Sequence, residues 1–471
     1  MPGNGRWHGG GKRLRGLREY DFAAGIHLYR YKEQNILLDV NTGAIHLLDE
    51  LAYHLVEKLA VLQGDGERAL AELEAEFPAE EIAEAAQEIE DAWRNGSLFS
   101  EFAVPVVELS RLSVKALCLN MAHSCNMKCS YCFASQGNFG LRPALMSLET
   151  AKAALDFLLE QSGERQNLEV DFFGGEPLLV FPVIKDLVAY ARERERKTGK
   201  RFSFTLTTNC LLLDEEVQEF VIDHKIGVIM SLDGRKETHD RHRLLNNGQG
   251  SYELVLPKIR EMLAKEPISY YVRGTFTRDN LDFSEDLRHM LELGFTCVSL
   301  EPAVGADNPL AISRDDLPRV LKEYDRLTDI LLEYRESGQS IHFFHYNLDL
   351  QKGPCLAKRV TGCGAGIEYL VVTPEGDLYP CHQFVGEARF YMGNVENGEI
   401  DYAVRRVFEE NQLVNKECRN CWARYFCGGG CHAGAYFQGD ISKPHAVSCT
   451  MHKKRIEGAI YLDLLKHLPP R

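Results

Sequence analysis

The chain has 471 residues, of which 45% are hydrophobic and 26% charged, and its formal net charge is −15. At roughly 100–200 residues per domain, this length predicts two to four domains, each large enough for its own core. The acidic balance argues against general nucleic-acid binding, because such proteins neutralise phosphates with a basic surface. No long uncharged apolar run is present, so no membrane-spanning helix is expected. Fourteen cysteines without an export signal favour metal ligation over disulfides and predict a cytoplasmic location.

The N-terminal part divides into a tail and a small folded unit. Residues 1–18 are glycine-rich and basic without an apolar h-region, which predicts a disordered tail. The stretch IHLYRYKEQNILLDVNTGAIHLLDE alternates apolar and polar residues around Asn41-Thr42-Gly43, which predicts a hairpin or small meander. Stretches of helical periodicity follow it. Residues 19–100 are therefore predicted to form a winged-helix-like domain, which either packs as a structural unit or captures a peptide along a strand edge.

Residues 112–335 alternate strand-like and helix-like stretches. Six apolar, β-branched runs predict strands: VKALCLNM, LEVDFFGG, FSFTLTTN, IGVIMSLDG, YYVRGTFT and CVSLEP. Nearly all-apolar strands in successive βα units predict a parallel sheet covered by helices, so the predicted fold class is α/β, a partial (β/α)6 barrel. In such barrels the chemistry lies at the carboxyl ends of the strands.

A cysteine triplet follows the first predicted strand. The stretch SCNMKCSYC contains Cys125, Cys129 and Cys132 with the spacing C-x3-C-x2-C. Structural zinc sites and cubane clusters normally take four protein ligands. Three thiolates on one loop suit three irons of a [4Fe–4S] cluster and leave the fourth iron open for an external ligand. The alternative is a zinc site that borrows a distant His or Cys, although zinc motifs favour C-x2-C pairs.

This triplet, placed after the first strand of a partial barrel, resembles that of the radical S-adenosylmethionine (SAM) enzymes. In that family the open iron binds the amino and carboxylate groups of SAM, and an electron from the cluster cleaves SAM to a 5′-deoxyadenosyl radical. Further stretches match the family at successive strand ends: GGEP at 174–177, TTN at 207–209, and SLDG at 231–234 followed by Arg243. The resemblance implies SAM contacts from nine residues: Tyr131, Gly174, Gly175, Glu176, Thr207, Thr208, Asn209, Ser231 and Arg243.

The resemblance also implies individual roles. Glu176 is expected to pair with the ammonium of SAM in a charge-assisted contact, and the two glycines before it to let the backbone approach the ligand. Asp233 is the one candidate catalytic residue, as a proton acceptor, but we favour a role in shaping its turn. Glu301, at the end of the sixth strand, is expected to face the site. Cys210 departs from the family, which usually has glycine after TN.

Residues 340–460 are rich in loops and cysteines. YLVVTPEGDLYPC predicts a hairpin that turns at 374–376, and eight cysteines lie between 355 and 449. Eight thiolates suit two [4Fe–4S] clusters or two zinc sites. The cysteine pattern resembles the SPASM domain of radical SAM enzymes that modify peptides, which carries two auxiliary clusters. The resemblance assigns Cys363, Cys381 and Cys431 to the first, with Cys355 as a possible fourth ligand, and Cys418, Cys421, Cys427 and Cys449 to the second. Without Cys355, the first auxiliary cluster would keep an iron open for a substrate thiolate.

Three stretches are similar to the maturases of six-cysteines-in-forty-five-residues (SCIFF) peptides: HLYRYKEQNILLDVNTGAIHLLDE, DFFGGEPLL and GDLYPCHQFVG. That family forms thioether links between a peptide cysteine and another residue, typically threonine. The resemblance implies a ribosomal precursor peptide whose leader docks on the N-terminal domain. It also implies SAM and three [4Fe–4S] clusters as cofactors, and a low-potential electron donor such as flavodoxin or ferredoxin. Neither nucleic acid nor membrane is expected as a partner.

Other functions remain open. The anaerobic sulfatase-maturing enzymes oxidise Cys or Ser to formylglycine and share the barrel and SPASM parts, but they normally lack an N-terminal recognition module. Another radical SAM peptide-crosslinking activity is also compatible with the motifs. A non-catalytic iron-sulfur electron carrier or redox sensor would have no use for GGEP, a ribose contact and an open cluster together.

Overall fold

The computed structural model describes residues 14–101, 112–305, 308–348, 350, 360 and 362–467. Cys355 and the first thirteen residues of the predicted tail therefore lie outside the described residues. Within the described ranges, no helix is both long and apolar enough to cross a membrane.

The N-terminal unit is an antiparallel sheet with four helices. Its strands pair in chain order: β1 (Ile26–Tyr31), β2 (Gln34–Asp39) and β3 (Ile45–Leu48). Its helices are α1 (Phe22–Gly25), α2 (Glu50–Val61), α3 (Gly66–Leu73) and α4 (Ala79–Arg94). The Asp49 carboxylate caps α2 by accepting a hydrogen bond from the Ala52 amide at 2.7 Å. The predicted meander is confirmed.

The predicted disordered tail extends too far along the chain. Arg15–Glu19 form a 3-10 helix, and Leu14 and Leu17 are each only 1% exposed. Both leucines belong to the apolar core between the N-terminal helices, where removing them from water stabilises the fold. The glycine-rich, basic composition of the segment concealed these two apolar side chains.

Six parallel strands form the centre of the chain: β4 (Ala116–Ala122), β6 (Asn167–Gly174), β7 (Arg201–Thr208), β8 (Gly227–Ser231), β10 (Tyr270–Phe276) and β11 (Cys297–Pro302). They neighbour one another in chain order, as right-handed βα units require. The intervening helices are α5 (Leu148–Gln161), α6 (Phe181–Thr198), α7 (Glu215–Asp223), α8 (Lys236–His242), α9 (Tyr252–Ala264), α10 (Phe283–Glu292) and α11 (Leu317–Glu336). Strands and helices share one apolar core, which confirms the predicted α/β class.

Three more strands extend this sheet to nine. β12 (His342–Phe343) adds parallel to β11 at one edge, and β13 (Tyr369–Val372) adds parallel to β4 at the other. β14 (Leu378–Tyr379) pairs antiparallel with β13, which confirms the predicted hairpin. A separate two-stranded ladder joins β5 (Met127–Cys129) to β9 (Arg243–Leu245), with Cys129 opposite Arg243.

The C-terminal part consists mainly of short helices and loops. Its α-helices are α12 (Tyr402–Glu410), α13 (Arg424–Cys427), α14 (His432–Tyr436) and α15 (Ala446–Leu464). The remaining 3-10 helices of the described chain are Ser135–Gly137, Pro177–Val180, Phe344–Tyr346, His382–Phe384, Ala388–Phe390, Leu413–Asn415 and Glu417–Asn420.

The N-terminal sheet packs against the C-terminal cysteine loops. Arg424 is only 1% exposed, and its guanidinium donates to the Ala24 carbonyl at 2.6 Å and to the Asn41 side chain. Nearby, the rings of His27 and Trp422 stack with centroids 3.7 Å apart. Apolar side chains of β1 and β2 share a core with α13 and α15. The N-terminal sheet and the loop around Cys421 and Cys427 are therefore one packed unit.

Arg424→Met is expected to lower the free energy of unfolding by roughly 1–3 kcal/mol, because it leaves the partly buried Ala24 carbonyl and Asn41 amide oxygen without their donor. Urea unfolding and hydrogen exchange at the amides of β1 and β2 measure the loss. Arg419→Met is the matched control, because the Arg419 side chain is exposed on the same loop. Equal stability of the two variants would contradict this account of the interface.

Candidate active site

A cavity of about 780 Å³ lies between the carboxyl ends of the barrel strands and the C-terminal loops. Its walls include the cysteine triplet, Cys125, Cys129 and Cys132, and all nine predicted SAM-contact residues: Tyr131, Gly174, Gly175, Glu176, Thr207, Thr208, Asn209, Ser231 and Arg243. Five of the C-terminal cysteines also line it: Cys363, Cys381, Cys427, Cys431 and Cys449. The tertiary structure thus gathers residues as far apart in the sequence as Cys125 and Cys449.

The cysteine triplet lies on the loop that follows β4. Burial is the main cause that raises the pKa of Cys125 to about 11 and that of Cys129 to about 12, and each thiol also feels the charge of Cys132. The three sulfur atoms therefore lie near one another. Thiols with such pKa values stay protonated at neutral pH unless a metal supplies positive charge.

Gly174 and Gly175 press against this loop. A Cβ added at Gly175 would lie 2.0 Å from the Ser124 carbonyl oxygen, and one at Gly174, whose φ is +118°, would lie 2.6 Å from the Ala122 carbonyl oxygen. The two glycines are therefore required for packing of the loop backbone, besides lining the cavity. The sequence suggested only an approach to the ligand.

Glu176 is fully buried at the cavity wall. Its carboxylate accepts hydrogen bonds from the Thr208 hydroxyl at 2.8 Å and from the backbone amides of Leu178 and Asn209 at 3.2 and 2.8 Å. Burial nevertheless raises the pKa of Glu176 to about 7, since the ionised form loses its hydration. These contacts hold the carboxylate in one orientation beside the ends of β6 and β7.

Asp233 holds the Arg243 guanidinium at the cavity wall. It is buried, and its Oδ2 accepts from the Tyr131 hydroxyl at 2.6 Å and pairs with the Arg243 Nε at 3.0 Å. Its Oδ1 accepts from the Thr275 amide at 2.8 Å. Burial opposes the charge of Arg243, but Asp233 raises the pKa of this guanidinium well above its usual value. Asp233 thus joins three segments of the barrel and does more than shape its turn.

Asn209 and Cys210 complete the end of β7. The Asn209 side-chain amide donates to the Asn126 side chain at 2.7 Å and approaches the Cys125 sulfur at 3.6 Å. Cys210 is fully buried and has φ +70°, a conformation that glycine adopts without strain. The backbone at this position explains why the family usually has glycine here.

The C-terminal cysteines form two groups. In the first, burial raises the pKa of Cys363 and of Cys381; the charge of Cys431 adds to both shifts, and that of Cys363 adds to the shift of Cys381. In the second, burial and the charges of Cys427, Cys418 and Cys421 raise the pKa of Cys449 to about 11. The two predicted ligand sets have these members together with Cys355, which lies outside the described residues, and their role as cluster ligands stays a prediction. Cys418 and Cys421 do not line the cavity.

The donor chemistry fits iron-sulfur clusters. The thirteen described cysteines form no disulfide, and ten of them fall into three groups of three or four thiols. Soft thiolates in such sets are the ligands that iron-sulfur clusters use. The described residues include no set of three or more His, Cys, Asp or Glu side chains arranged around one metal ion. The fit therefore depends on the grouping of the thiols around the cavity.

Two cations of the cavity wall had no signal in the sequence. Arg273 on β10 and Arg455 on α15 come from separate elements, and no motif connects them. His345 lies 2.6 Å from the Glu301 carboxylate. Burial alone would raise the pKa of Glu301, but His345 and Arg273 hold it well below its usual range. Glu301 faces the cavity, as the sequence predicted.

Comparisons with known proteins agree with this architecture. Residues 119–267 match the radical SAM superfamily, and residues 363–422 match the SPASM iron-sulfur cluster-binding domain. The chain therefore combines a radical SAM domain with a C-terminal SPASM domain.

The individual proteins that are similar in sequence share about a quarter of their residues with this chain. The chain is 26% identical over 343 residues to the mycofactocin maturase MftC of Mycolicibacterium smegmatis, covering 69% of this chain and 80% of that protein. It is 24% identical over 330 residues to a cysteine-type anaerobic sulfatase-maturating enzyme of Clostridium perfringens, covering 65% and 85%.

Solved structures share the fold. The sulfatase-maturating enzyme anSMEcpe with bound AdoMet superimposes with a TM-score of 0.63 at 21% identity, covering 75% of this chain and 100% of that one. SuiB of Streptococcus suis bound to S-adenosylmethionine superimposes with a TM-score of 0.53 at 15% identity, covering 90% and 98%.

The proposed contact between Glu176 and the ammonium of SAM predicts a pH dependence. With a pKa of about 7, Glu176 is mostly protonated at lower pH, and only the carboxylate attracts a cation. The affinity for SAM is expected to fall as the pH drops below about 7, approaching about tenfold per pH unit. Glu176→Gln should abolish this dependence and weaken binding at about pH 8. Equilibrium binding of SAM to the cluster-loaded protein measures both.

Glu169→Gln is the matched control, since Glu169 lies on β6, the strand that leads to Glu176, is exposed and pairs with Lys115. The affinity of this variant for SAM should depend on pH as that of the wild type does. Iron content is checked at each pH. A Glu176→Gln variant with an unchanged profile would remove Glu176 from the SAM site.

Proposed function

We propose that this protein modifies a ribosomally made, cysteine-rich peptide and forms intramolecular thioether links between a cysteine and a threonine or similar residue. The proposal joins three parts of the chain: the N-terminal sheet receives the leader, the barrel holds SAM, and the SPASM loops hold auxiliary clusters. In these terms it is a radical SAM peptide maturase related to the SCIFF maturases.

The observation that carries the proposal is the shared cavity. Cys125, Cys129 and Cys132 on the barrel side and Cys363, Cys381 and Cys431 on the SPASM side line the same space. A peptide cysteine in this space would lie between the SAM site and an auxiliary cluster. A volume of about 780 Å³ also accommodates a peptide segment together with SAM.

The N-terminal sheet supports leader recognition. Among the described strands, β3 pairs only with β2, so its outer edge carries unpaired backbone groups, and Leu47 on it is exposed. The opposite strand, β1, packs against α15 and Trp422. A peptide can therefore add as a strand beside β3. SuiB, which has also been solved bound to its precursor peptide SuiA, covers 90% of this chain.

Residues of this chain would bind and orient the reactants. The triplet would hold three irons of the first cluster, Glu176 would accept the ammonium of SAM, and Arg243, fixed by Asp233, would bind its ribose or carboxylate. When bound, SAM and the clusters supply hydrogen-atom abstraction by the 5′-deoxyadenosyl radical and an acceptor for the single electron that crosslinking releases. The balance is one hydrogen atom to deoxyadenosine, one proton from the thiol and one electron.

A second candidate is formylglycine formation, favoured by the likeness to sulfatase-maturating enzymes in sequence and fold. The whole of anSMEcpe corresponds to only 75% of this chain. The remaining quarter of the chain, which has no counterpart there, favours a substrate that needs separate recognition.

The test is anaerobic incubation of the reduced, cluster-loaded protein with SAM and a cysteine-rich peptide encoded next to its gene. We expect about twelve irons per chain, 5′-deoxyadenosine, and a peptide lighter by two hydrogens with one thiol blocked. Cys129→Ala should abolish deoxyadenosine formation. Cys297→Ala is the matched control, because Cys297 begins β11 outside the cavity.

Other products would discriminate among the alternatives. A peptide that loses two hydrogens and sulfur and gains oxygen would indicate formylglycine. Deoxyadenosine without any peptide product would contradict the proposed substrate. Zinc in place of iron, with no SAM cleavage after reconstitution, would contradict the enzyme class.

A further inference from the structure

Arg455 is a buried cation on the cavity wall with unused hydrogen-bond donors. It lies on α15 and is only 8% exposed. Its Nη2 donates to the His452 Nδ1 at 2.8 Å, and its guanidinium lies over the Tyr324 ring at 5.9 Å. Its Nε and Nη1 are buried and have no hydrogen-bond partner. No described carboxylate pairs with this guanidinium.

The charges around Arg455 do not balance. Arg273 also lines the cavity, and the one carboxylate nearby is Glu301. That carboxylate is already engaged by His345 at 2.6 Å and by the Ser299 hydroxyl at 3.0 Å, with the Arg273 Nε at 3.9 Å. Two guanidiniums therefore share one occupied carboxylate, and Arg455 also acts on the nearby thiol of Cys427, whose pKa it lowers while burial raises it.

An unpaired charge that is buried with free donors is costly, and it is normally compensated by a partner. The fork of a guanidinium matches a planar carboxylate, which it binds through two parallel hydrogen bonds. The cation of the proposed SAM site, Arg243, already has its own counter-ion in Asp233. The wall around Arg455 is thus chemically separate from the proposed SAM contacts.

We propose that Arg455, assisted by Arg273, forms a subsite for a carboxylate of the peptide substrate, either an Asp or Glu side chain or the peptide C-terminus. The subsite rests on the proposed function. It acts as a specificity determinant, because it orients the peptide segment between the barrel and the SPASM loops.

The test measures binding of the dye-labelled cysteine-rich peptide to cluster-loaded protein by fluorescence anisotropy. The peptide is compared with versions in which each Asp or Glu is changed to its amide and in which the C-terminus is amidated. We expect the wild-type protein to bind one of the modified peptides roughly 10- to 100-fold more weakly than the unmodified peptide. Arg455→Met should bind the unmodified peptide as weakly as that, and it should bind the same modified peptide no more weakly still. Arg455→Lys should retain part of the affinity.

Lys454→Met is the matched control on the same helix, because Lys454 pairs with Asp325 at 2.6 Å and does not line the cavity. It should bind every peptide as the wild type does. The competing role of Arg455 is that of a counter-ion to a SPASM cluster. If Arg455→Met lost the same affinity for every peptide, the subsite would be overturned. An altered cluster EPR spectrum in Arg455→Met without a change in peptide preference would also overturn it.

A probe that does not depend on the peptide separates this inference from the proposed function. Sodium glutarate should raise the thermal midpoint of the cluster-loaded wild type, relative to sodium chloride at equal ionic strength, and should not raise that of Arg455→Met. If no peptide binds but glutarate stabilises only the wild type, the proposed substrate is wrong and the carboxylate subsite stands. Equal responses of the two proteins would overturn the subsite.

Discussion

Backbone hydrogen bonds between β13 and β4 join the C-terminal segment to the barrel sheet, and the site depends on this pairing. Four residue pairs in register, from Tyr369 opposite Ala116 to Val372 opposite Leu119, make β13 a parallel neighbour of the first barrel strand. Cys363 precedes β13 and Cys381 follows its hairpin, so both cysteines reach the cavity from the sheet edge. This ladder places the SPASM loops beside the carboxyl ends of the barrel strands, where both line one cavity.

A second attachment ties the N-terminal sheet to the same loops. Arg424 and Trp422 lie between the predicted cluster ligands Cys421 and Cys427, and both contact the N-terminal unit, the tryptophan by stacking on His27. The buried guanidinium satisfies a backbone acceptor and a side-chain acceptor that are themselves partly buried. The segment that would hold the second auxiliary cluster is therefore also part of the interface with the proposed recognition sheet.

Charge compensation distinguishes the two sides of the cavity. On the barrel side, Arg243 is held by Asp233, and Glu176 accepts three hydrogen bonds despite its burial. Where the end of β11 meets α15, Glu301 is shared among several donors while Arg455 keeps two buried nitrogens without a partner. A low local dielectric strengthens both the satisfied contacts and the cost of the unsatisfied one. In our proposal, a carboxylate of the peptide becomes the partner of Arg455 at the second wall.

The sequence by itself determined the parallel strands, the cysteine triplet and the hairpin, because local periodicity and short spacings encode them. It also identified GGEP and Arg243 through resemblance. Only the tertiary structure decided that Asp233 holds Arg243, that Gly174 packs on the cysteine loop, and that Leu14 belongs to a core. It alone brought Arg455 to the cavity. Such contacts join residues far apart in the chain, and their partners are set by sheet register and helix packing, which no local pattern specifies.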